Sequence, residues 1–537
     1  MISPKRVLFL LSCSLLVCFI SCSKKSELVY ISYERPDNLI PNLNMNEEGK
    51  YISELIFDGL VNKTTVNTEG REQYQWALVS EGGYVEESPD NRFLISIYLK
   101  KGIKWHHGKE LTSKDVLFTW KAIQQSNSPL KGWLNSFVED ISLIEDDNYK
   151  FKIKLKVERS KEAFMELFAP VKILPHEYLE NGNYVELPYD LSENSKYVNA
   201  FKWKPIGTGP YSVAERESEF ITLKSNEEYN SSNIPQIPII KYEIEKDRNM
   251  AIKTLNNTQY GIIFNVNPES FEALSQDKVE YASYVPYSFY VIAYNTLKPP
   301  FNNIDFRKAI NSLTDKDELA QAFLGEVTLE SKKFINHSIF PSNSRYVINS
   351  PKSFFESTPY NPSSAKSFLK LTGNNIKSFN LLVSSIIDGE NRMRVFSESY
   401  SKMMQNEGIK VEINDVTSPV YYQKIRDRDY DAVLIQLTGF DHFFDIRGLF
   451  KNGGERNFWG INDNDLNILL EKFGTTIAWD KLLKISSDIH SRVEELTPGC
   501  FIFTVPRRSY YSKGINGVYI HPEVGFSTVE NWSYKSR

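Results

Sequence analysis

The residue types that do chemistry in proteins are thinly spread through this chain. Seven histidines stand at 106, 107, 176, 337, 442, 490 and 521, and no two lie four residues apart on a helix, the spacing that brings two imidazoles to one metal. His106 and His107 run into Gly108 and read as a hairpin turn rather than as metal ligands. There is no G-x-S-x-G nucleophile elbow, no H-E-x-x-H pair and no G-x-x-x-x-G-K-[ST] phosphate loop. The four cysteines, at 13, 18, 22 and 500, show no metal-binding spacing. The apolar run Asp431 to Leu437 reads as a buried strand. In a parallel sheet such a strand binds ligand beyond its carboxyl end, here just after Leu437.

The N-terminus has a separate logic. Lys5 and Arg6 precede an apolar run from Val7 to Ile20, too short to span a bilayer but as long as the core of an export signal. The run closes on Phe19-Ile20-Ser21-Cys22 and then polar Ser23-Lys24-Lys25, which resembles a bacterial lipobox in which the cysteine is lipidated after cleavage. Residues 1–21 are therefore expected to be a lipoprotein signal and Cys22 the lipidation site. Cys500 is then left without a disulfide partner, and the chain must be stable through its core alone.

Length and composition permit this. With 537 residues the chain is expected to form about three domains, or two large lobes. A hydrophobic fraction of 41% with 24% charged residues is ordinary for globular proteins and excludes disordered, collagenous and polytopic membrane classes. Without Lys5 and Arg6 the mature chain carries 61 basic against 68 acidic residues, a net of −7, which argues against a nucleic-acid partner.

The elements around this strand follow from periodicity. Leu28 to Tyr33, Phe93 to Leu99 and Phe151 to Leu155 read as strands, and Lys50 to Leu60 as a helix closed near Gly59. Thr112 and Asp115 form a capping box at the start of a helix. Phe306 to Leu324 and Ser364 to Leu371 read as helices and Phe379 to Val383 as a strand. Arg392 to Glu407 reads as a helix ended by Gly408, followed by a strand Ile409 to Ile413, a helix Pro419 to Arg426 and a strand Asp431 to Leu437. Strand-helix-strand in this order gives an α/β fold with a parallel sheet whose ligand edge lies just past Leu437.

Five segments then resemble, in order, the signature of the peptide/nickel-type solute-binding proteins of ABC importers, family 5. They are Ile56-Phe57-Asp58-Gly59-Leu60; Leu99 to Gly108 with Leu111 to Val116; Gly207-Thr208-Gly209-Pro210-Tyr211; Pro300-Phe301 with Asp305 to Ala309 and Asp315; and Gly408 to Val411 with Asp429-Tyr430-Asp431. Most of these motifs serve the fold. Gly207 and Gly209 are expected to satisfy a turn between strands.

The resemblance implies a two-lobed clamp of the type II class with an extra subdomain in lobe I. The expected division is a tether and the start of lobe I over 22–60, the subdomain over 61–200, lobe I over 201–295, lobe II over 296–496 and a return to lobe I over 497–537. Crossings are expected near Asn295 to Pro300 and Leu496 to Cys500. It implies no enzymatic activity and no cofactor, a monomer exported and lipid-anchored at the periplasmic face of a bacterial membrane, an oligopeptide ligand, and separate permease and ATPase subunits. A nickel chelate, haem or oligosaccharide ligand, or a sensor or adhesin that kept the fold, are the alternatives. By the family pattern Asp441 meets the ligand's amino terminus, since a buried ammonium needs a carboxylate partner. Gly439 would admit ligand backbone and Phe440 would wall a pocket, while Met45, Asn46 and Glu47 on the opposing lobe would face the ligand backbone.

Overall fold

The computed structural model describes residues 26–535 apart from 44, 67–71, 89–90, 158, 193–195, 230–233, 267–273, 276, 287, 325–334, 337, 342–343, 349–358, 374–376, 385–391, 439–442, 455, 477, 506 and 522. The export signal and Cys22 lie outside the described residues.

Two mixed sheets organise the chain. The first has seven strands in the order Tyr211–Arg216, Phe220–Ser225, Ile239–Ile244, Glu27–Ser32, Gly261–Val266, Arg507–Ser512 and Val279–Tyr284. Glu27–Ser32 at its centre runs parallel to both neighbours. Its side chains alternate between two cores: Leu28 and Tyr30 join one apolar cluster, Val29 and Ile31 the other. The second sheet has five strands, Lys410–Asp415, Ser378–Val383, Ala432–Thr438, Ser288–Tyr294 and Gly499–Phe503. The expected parallel pairings appear between Ser378–Val383 and both of its neighbours.

Ser288–Tyr294 is buried at all seven positions. Tyr290, Ile292 and Tyr294 face one helical layer and Phe289, Val291 and Ala293 the other. Each large apolar side chain buried this way contributes roughly 1.5–3 kcal/mol, so a two-faced apolar strand is fixed in the middle of its sheet. This strand and Gly499–Phe503 pair with each other inside the second sheet. The chain therefore crosses between sheets after Tyr284 and again after Phe503. The expected crossings, at 295–300 and 496–500, are corrected by this pairing. Residues 295–300 instead join the strand Ser288–Tyr294 to the helix Ile304–Leu313, and Pro498 stands between the helix Trp479–Leu496 and the strand Gly499–Phe503, all within lobe II.

The expected subdomain holds a four-stranded antiparallel sheet, Val79–Ser88, Asn91–Leu99, Asp147–Leu155 and Val138–Ile144. Its core runs from Leu60 to Ile173, while Leu174, Tyr178, Leu187, Leu191, Val198 and Phe201 pack into the core of the seven-stranded sheet. The expected end at residue 200 thus moves back to about Ile173. The subdomain also reaches lobe II: Arg345 pairs with Glu166, and Arg159 Nη2 donates to Gly474 O at 2.8 Å.

Two helices differ from expectation. The helix expected over Lys50 to Leu60 spans Glu47–Ile56 and stops at extended Phe57. Gly59 does not close it; a Cβ there would sit 2.5 Å from the Val171 carbonyl oxygen. Phe306 to Leu324 divides into Ile304–Leu313 and Lys316–Leu324, because Thr314 Oγ1 donates back to Ile310 O and Asp315 caps the second helix through Glu318 N at 3.1 Å. The capping box at Thr112 and Asp115 is present.

Candidate functional site

Both crossings leave from one edge of the seven-stranded sheet. The parallel strands end there at Ser32, Ile244 and Val266, Val279–Tyr284 ends there, and Arg507–Ser512 begins there, with Tyr284 opposite Arg507. In the second sheet Ser288 follows the first crossing and sits opposite Thr438, with Gln436 Nε2 donating to Ser288 Oγ at 3.3 Å. The crossings thus tie the carboxyl edge of one sheet to the edge of the other that carries Ser288, Thr438 and Phe503. Carboxyl edges of such sheets hold ligands, and two crossings at one place make a hinge.

Gly439, Phe440, Asp441 and His442 continue directly from Thr438 and lie outside the described residues. The facing edge of lobe I is described. Met45 is half-buried beside it. Asn46 is the N-cap of the Glu47–Ile56 helix: its Oδ1 accepts from Gly49 N at 3.0 Å and its Nδ2 donates to Arg35 O at 2.9 Å. Its backbone N–H donates to Asp37 Oδ1 at 3.0 Å. These bonds hold the loop, which gives Asn46 a positioning part.

Glu47 is the exposed acid of the group. Arg507 Nη1 lies 3.0 Å from both of its carboxylate oxygens, and Asn265 Nδ2 donates to Oε2 at 3.0 Å. Asn265 also donates to Tyr51 OH at 3.0 Å and accepts from Tyr284 OH. Its backbone is left-handed, φ +58°, at a register shift in the ladder between Ile263 and Val266. That conformation is costly for a non-glycine residue and here aims the amide at three neighbours on the edge. Burial alone would lower the Arg507 guanidinium; Glu47 outweighs it, so the group is held firmly charged.

Glu48 behaves differently from its neighbour. Burial pushes its carboxyl up to about 7, against hydrogen bonds from Tyr30 and Ser32 that favour the ionised form; Glu47 and Glu34 push the same way as burial. Tyr30 OH donates to Glu48 Oε2 at 2.7 Å. Burial likewise raises the Tyr284 phenol to about 12, with Arg507 opposing. Glu48, Tyr51, Asn265, Tyr284 and Arg507 were not singled out from sequence. Arg507-Arg508 at the start of an aromatic strand was the visible signal for one of them.

The family-like motifs build the frame behind this edge. His106 Nδ1 accepts from Gly207 N at 3.2 Å, and its Nε2 faces Gly209 O at 3.1 Å. Gly209 N donates to Ile56 O at 2.8 Å, while Thr208 Oγ1, Tyr229 OH and Asn62 Nδ2 all donate to Asp58. Three motifs distant in sequence thus meet where the subdomain joins lobe I. Gly207 is glycine for closeness rather than for turn geometry, since a Cβ would lie 1.8 Å from Ile56 O. In lobe II, Arg307 donates to the carbonyls of Phe301, Leu496 and Thr497 at 2.6–2.9 Å. A cavity of about 420 Å³ lined by Ser312, Lys316 and Cys500 lies among helices of lobe II, away from both sheet edges.

Among the described residues no cluster of histidine, cysteine or acids has the geometry for a metal ion, and no helix is long and apolar enough to cross a membrane. The chain is 23% identical to the oligopeptide-binding protein AppA of Bacillus subtilis over 467 residues, covering 82% of this chain and 81% of that protein. The solved structure of that Bacillus protein in complex with a nonapeptide superposes with a TM-score of 0.74 at 18% identity, covering 95% of this chain and 99% of the other. The ABC transporter substrate-binding protein CtaP of Listeria monocytogenes gives 0.79 at 19% identity, covering 95% and 99%. Residues 76–452 match the family described as bacterial extracellular solute-binding proteins, family 5. That span is well over half the chain, and with its two-lobed α/β clamp the chain belongs to family 5 of the bacterial extracellular solute-binding proteins.

Proposed function

We propose that this chain is the substrate-binding subunit of an ABC importer, exported and lipid-anchored through Cys22, which encloses oligopeptides between its lobes and hands them to a permease. It is a binder and not an enzyme. The observation that carries the reading is the pair of crossings joining two sheet edges, the construction of a clamp whose closed form a bound ligand stabilises. Membership of the solute-binding family and relatives named for oligopeptides and dipeptides supply the ligand class.

One cleft accepts many peptides only through groups that all peptides share, the backbone and the terminal charges. Asp441 is the carboxylate proposed for the peptide ammonium, with Gly439 and Phe440 beside it, and Glu47 is proposed to face the peptide from lobe I. Mass spectrometry of ligand released from natively purified protein tests the reading: peptides of mixed sequence and narrow length range are expected, and a single non-peptide compound would contradict it. Titration of Asp441→Ala with a peptide and its N-acetylated form tests the anchor, because loss of the ammonium should matter only when Asp441 is present. Cys22→Ser should release the protein from the membrane fraction if the lipid anchor is correct.

A further inference from the structure

The seven-stranded sheet ends, on the side away from the crossings, with Tyr211–Arg216. That strand runs antiparallel to Phe220–Ser225, which in turn runs antiparallel to Ile239–Ile244, so Arg216 emerges at the same carboxyl edge as Ser32 and Ile244. Arg35 emerges there too, three residues past the central strand. Both guanidinium groups rest against one indole: the Cζ of Arg216 is 4.6 Å from the Trp203 ring centroid and that of Arg35 is 5.7 Å away. Trp203 itself is 52% exposed.

This group lacks the partners that three of the arginines described above have. Arg507 has Glu47, Arg345 has Glu166, and Arg307 has three carbonyls. Arg216 has one, the Lys202 carbonyl at 2.9 Å, and its Nε is buried without a partner. Neither Arg35 nor Arg216 has a carboxylate within ion-pair distance among the described residues, although Glu34, Glu215 and Glu217 adjoin them in sequence. Burial and then the neighbouring Arg35 hold the Arg216 guanidinium down at about 10. Two cations pressed together on an apolar ring at a ligand edge are unfavourable until an anion joins them. The planar forks of arginine match carboxylate oxygens in pairs, and the indole face supports both the guanidinium and an apolar stem.

We infer that Arg35, Trp203 and Arg216 form a carboxylate-binding site at the mouth of the cleft, opposite the crossings. Asn46 links it to the loop that faces the ligand, since its Nδ2 donates to the Arg35 carbonyl. Taking the proposed peptide reading, the site receives either the C-terminal carboxylate or an Asp or Glu side chain, and gives this chain a preference for acidic peptides.

The test uses the full mature chain and two probe types. One is a peptide series: a parent with a free C-terminus and one Glu, its C-terminal amide, and its Glu-to-Gln form. The other is glutarate, followed by tryptophan emission with Trp203→Phe as the control for signal origin. Arg35→Met is the main variant because Arg35 is exposed, and the double variant with Arg216→Met is checked for folding by circular dichroism. The wild type should bind the parent about tenfold more tightly than one of its neutralised forms, the form that matters naming the carboxylate source. That preference should vanish in both variants while binding of the neutral form is kept. Equal binding of all three peptides by the wild type, or a preference that survives both substitutions, overturns the site. A Trp203-dependent glutarate response that needs both arginines, with no peptide binding at all, keeps the site and overturns the peptide reading instead.

Discussion

Glu47 and Arg507 stand 460 residues apart in sequence and 3.0 Å apart in the fold. Arg507 opens the strand after the return crossing, and Glu47 opens the helix that faces the ligand edge. The pair therefore joins the hinge to the wall of the cleft. Glu47 is half exposed, so Glu47→Gln should change stability in denaturant by less than about 1 kcal/mol. Arg507→Met should cost more, because it also leaves Asn265 and Tyr284 without the charge their phenol and amide surround. Equal losses for the two would mean that the pair alone accounts for the cluster.

Glu48 should make the fold sensitive to pH. The folded carboxyl holds its proton up to about 7, against an ordinary 4.5, so between these values the folded chain binds a proton that the unfolded chain releases. Its contribution is fully present below about pH 4.5, is lost as pH rises through about 7 and is flat above that. The ceiling is roughly 3 kcal/mol, reduced by the partial exposure of the group. Glu48→Gln keeps an acceptor for Tyr30 and cannot ionise, so its thermal midpoint should fall less than that of the wild type between pH 5 and pH 8. A parallel fall in both would refute the assignment.

Gly207 should tolerate no side chain. Alanine would put a methyl 1.8 Å from the Ile56 carbonyl oxygen, and backbone cannot swing aside as a flexible side chain would. Overpacking of this kind costs about 1–3 kcal/mol, with the upper end expected here. Gly102→Ala is the useful contrast: it sits at φ +79° with open space around it, so any loss there is conformational and about 1 kcal/mol. Urea denaturation of the two variants separates the mechanisms.

Arg307 should be irreplaceable by lysine. Its three donors satisfy Phe301, Leu496 and Thr497, and a lysine ammonium cannot span carbonyls arranged around a planar fork. Arg307→Lys is expected to lose about 2–3 kcal/mol by leaving buried carbonyls unpaired. A loss under 1 kcal/mol would indicate that water replaces the fork.

The frame was more legible than the cleft. Parallel pairing in lobe II followed from strand and helix periods, and the capping box at Thr112 and Asp115 was written in four residues. The crossings lie elsewhere than expected because strand pairing between Ser288–Tyr294 and Gly499–Phe503 is a tertiary fact that no local pattern carries. Asn46 is the N-cap of the Glu47–Ile56 helix, and Asn before two acids at a helix start is a signature legible in the sequence. Asn265, Arg507 and the Arg35–Trp203–Arg216 group come from elements distant in sequence that meet only at the sheet edge, and their roles depend on a register invisible along the chain.

Bound peptide should draw the two lobes closed over it. Small-angle X-ray scattering of the mature chain, stripped of ligand by denaturation and refolding and then given a mixed peptide library, measures it directly. A smaller radius of gyration with peptides, reversed on stripping again, is the predicted result. Superimposable curves with and without peptide, in protein shown by calorimetry to have bound it, would contradict the account.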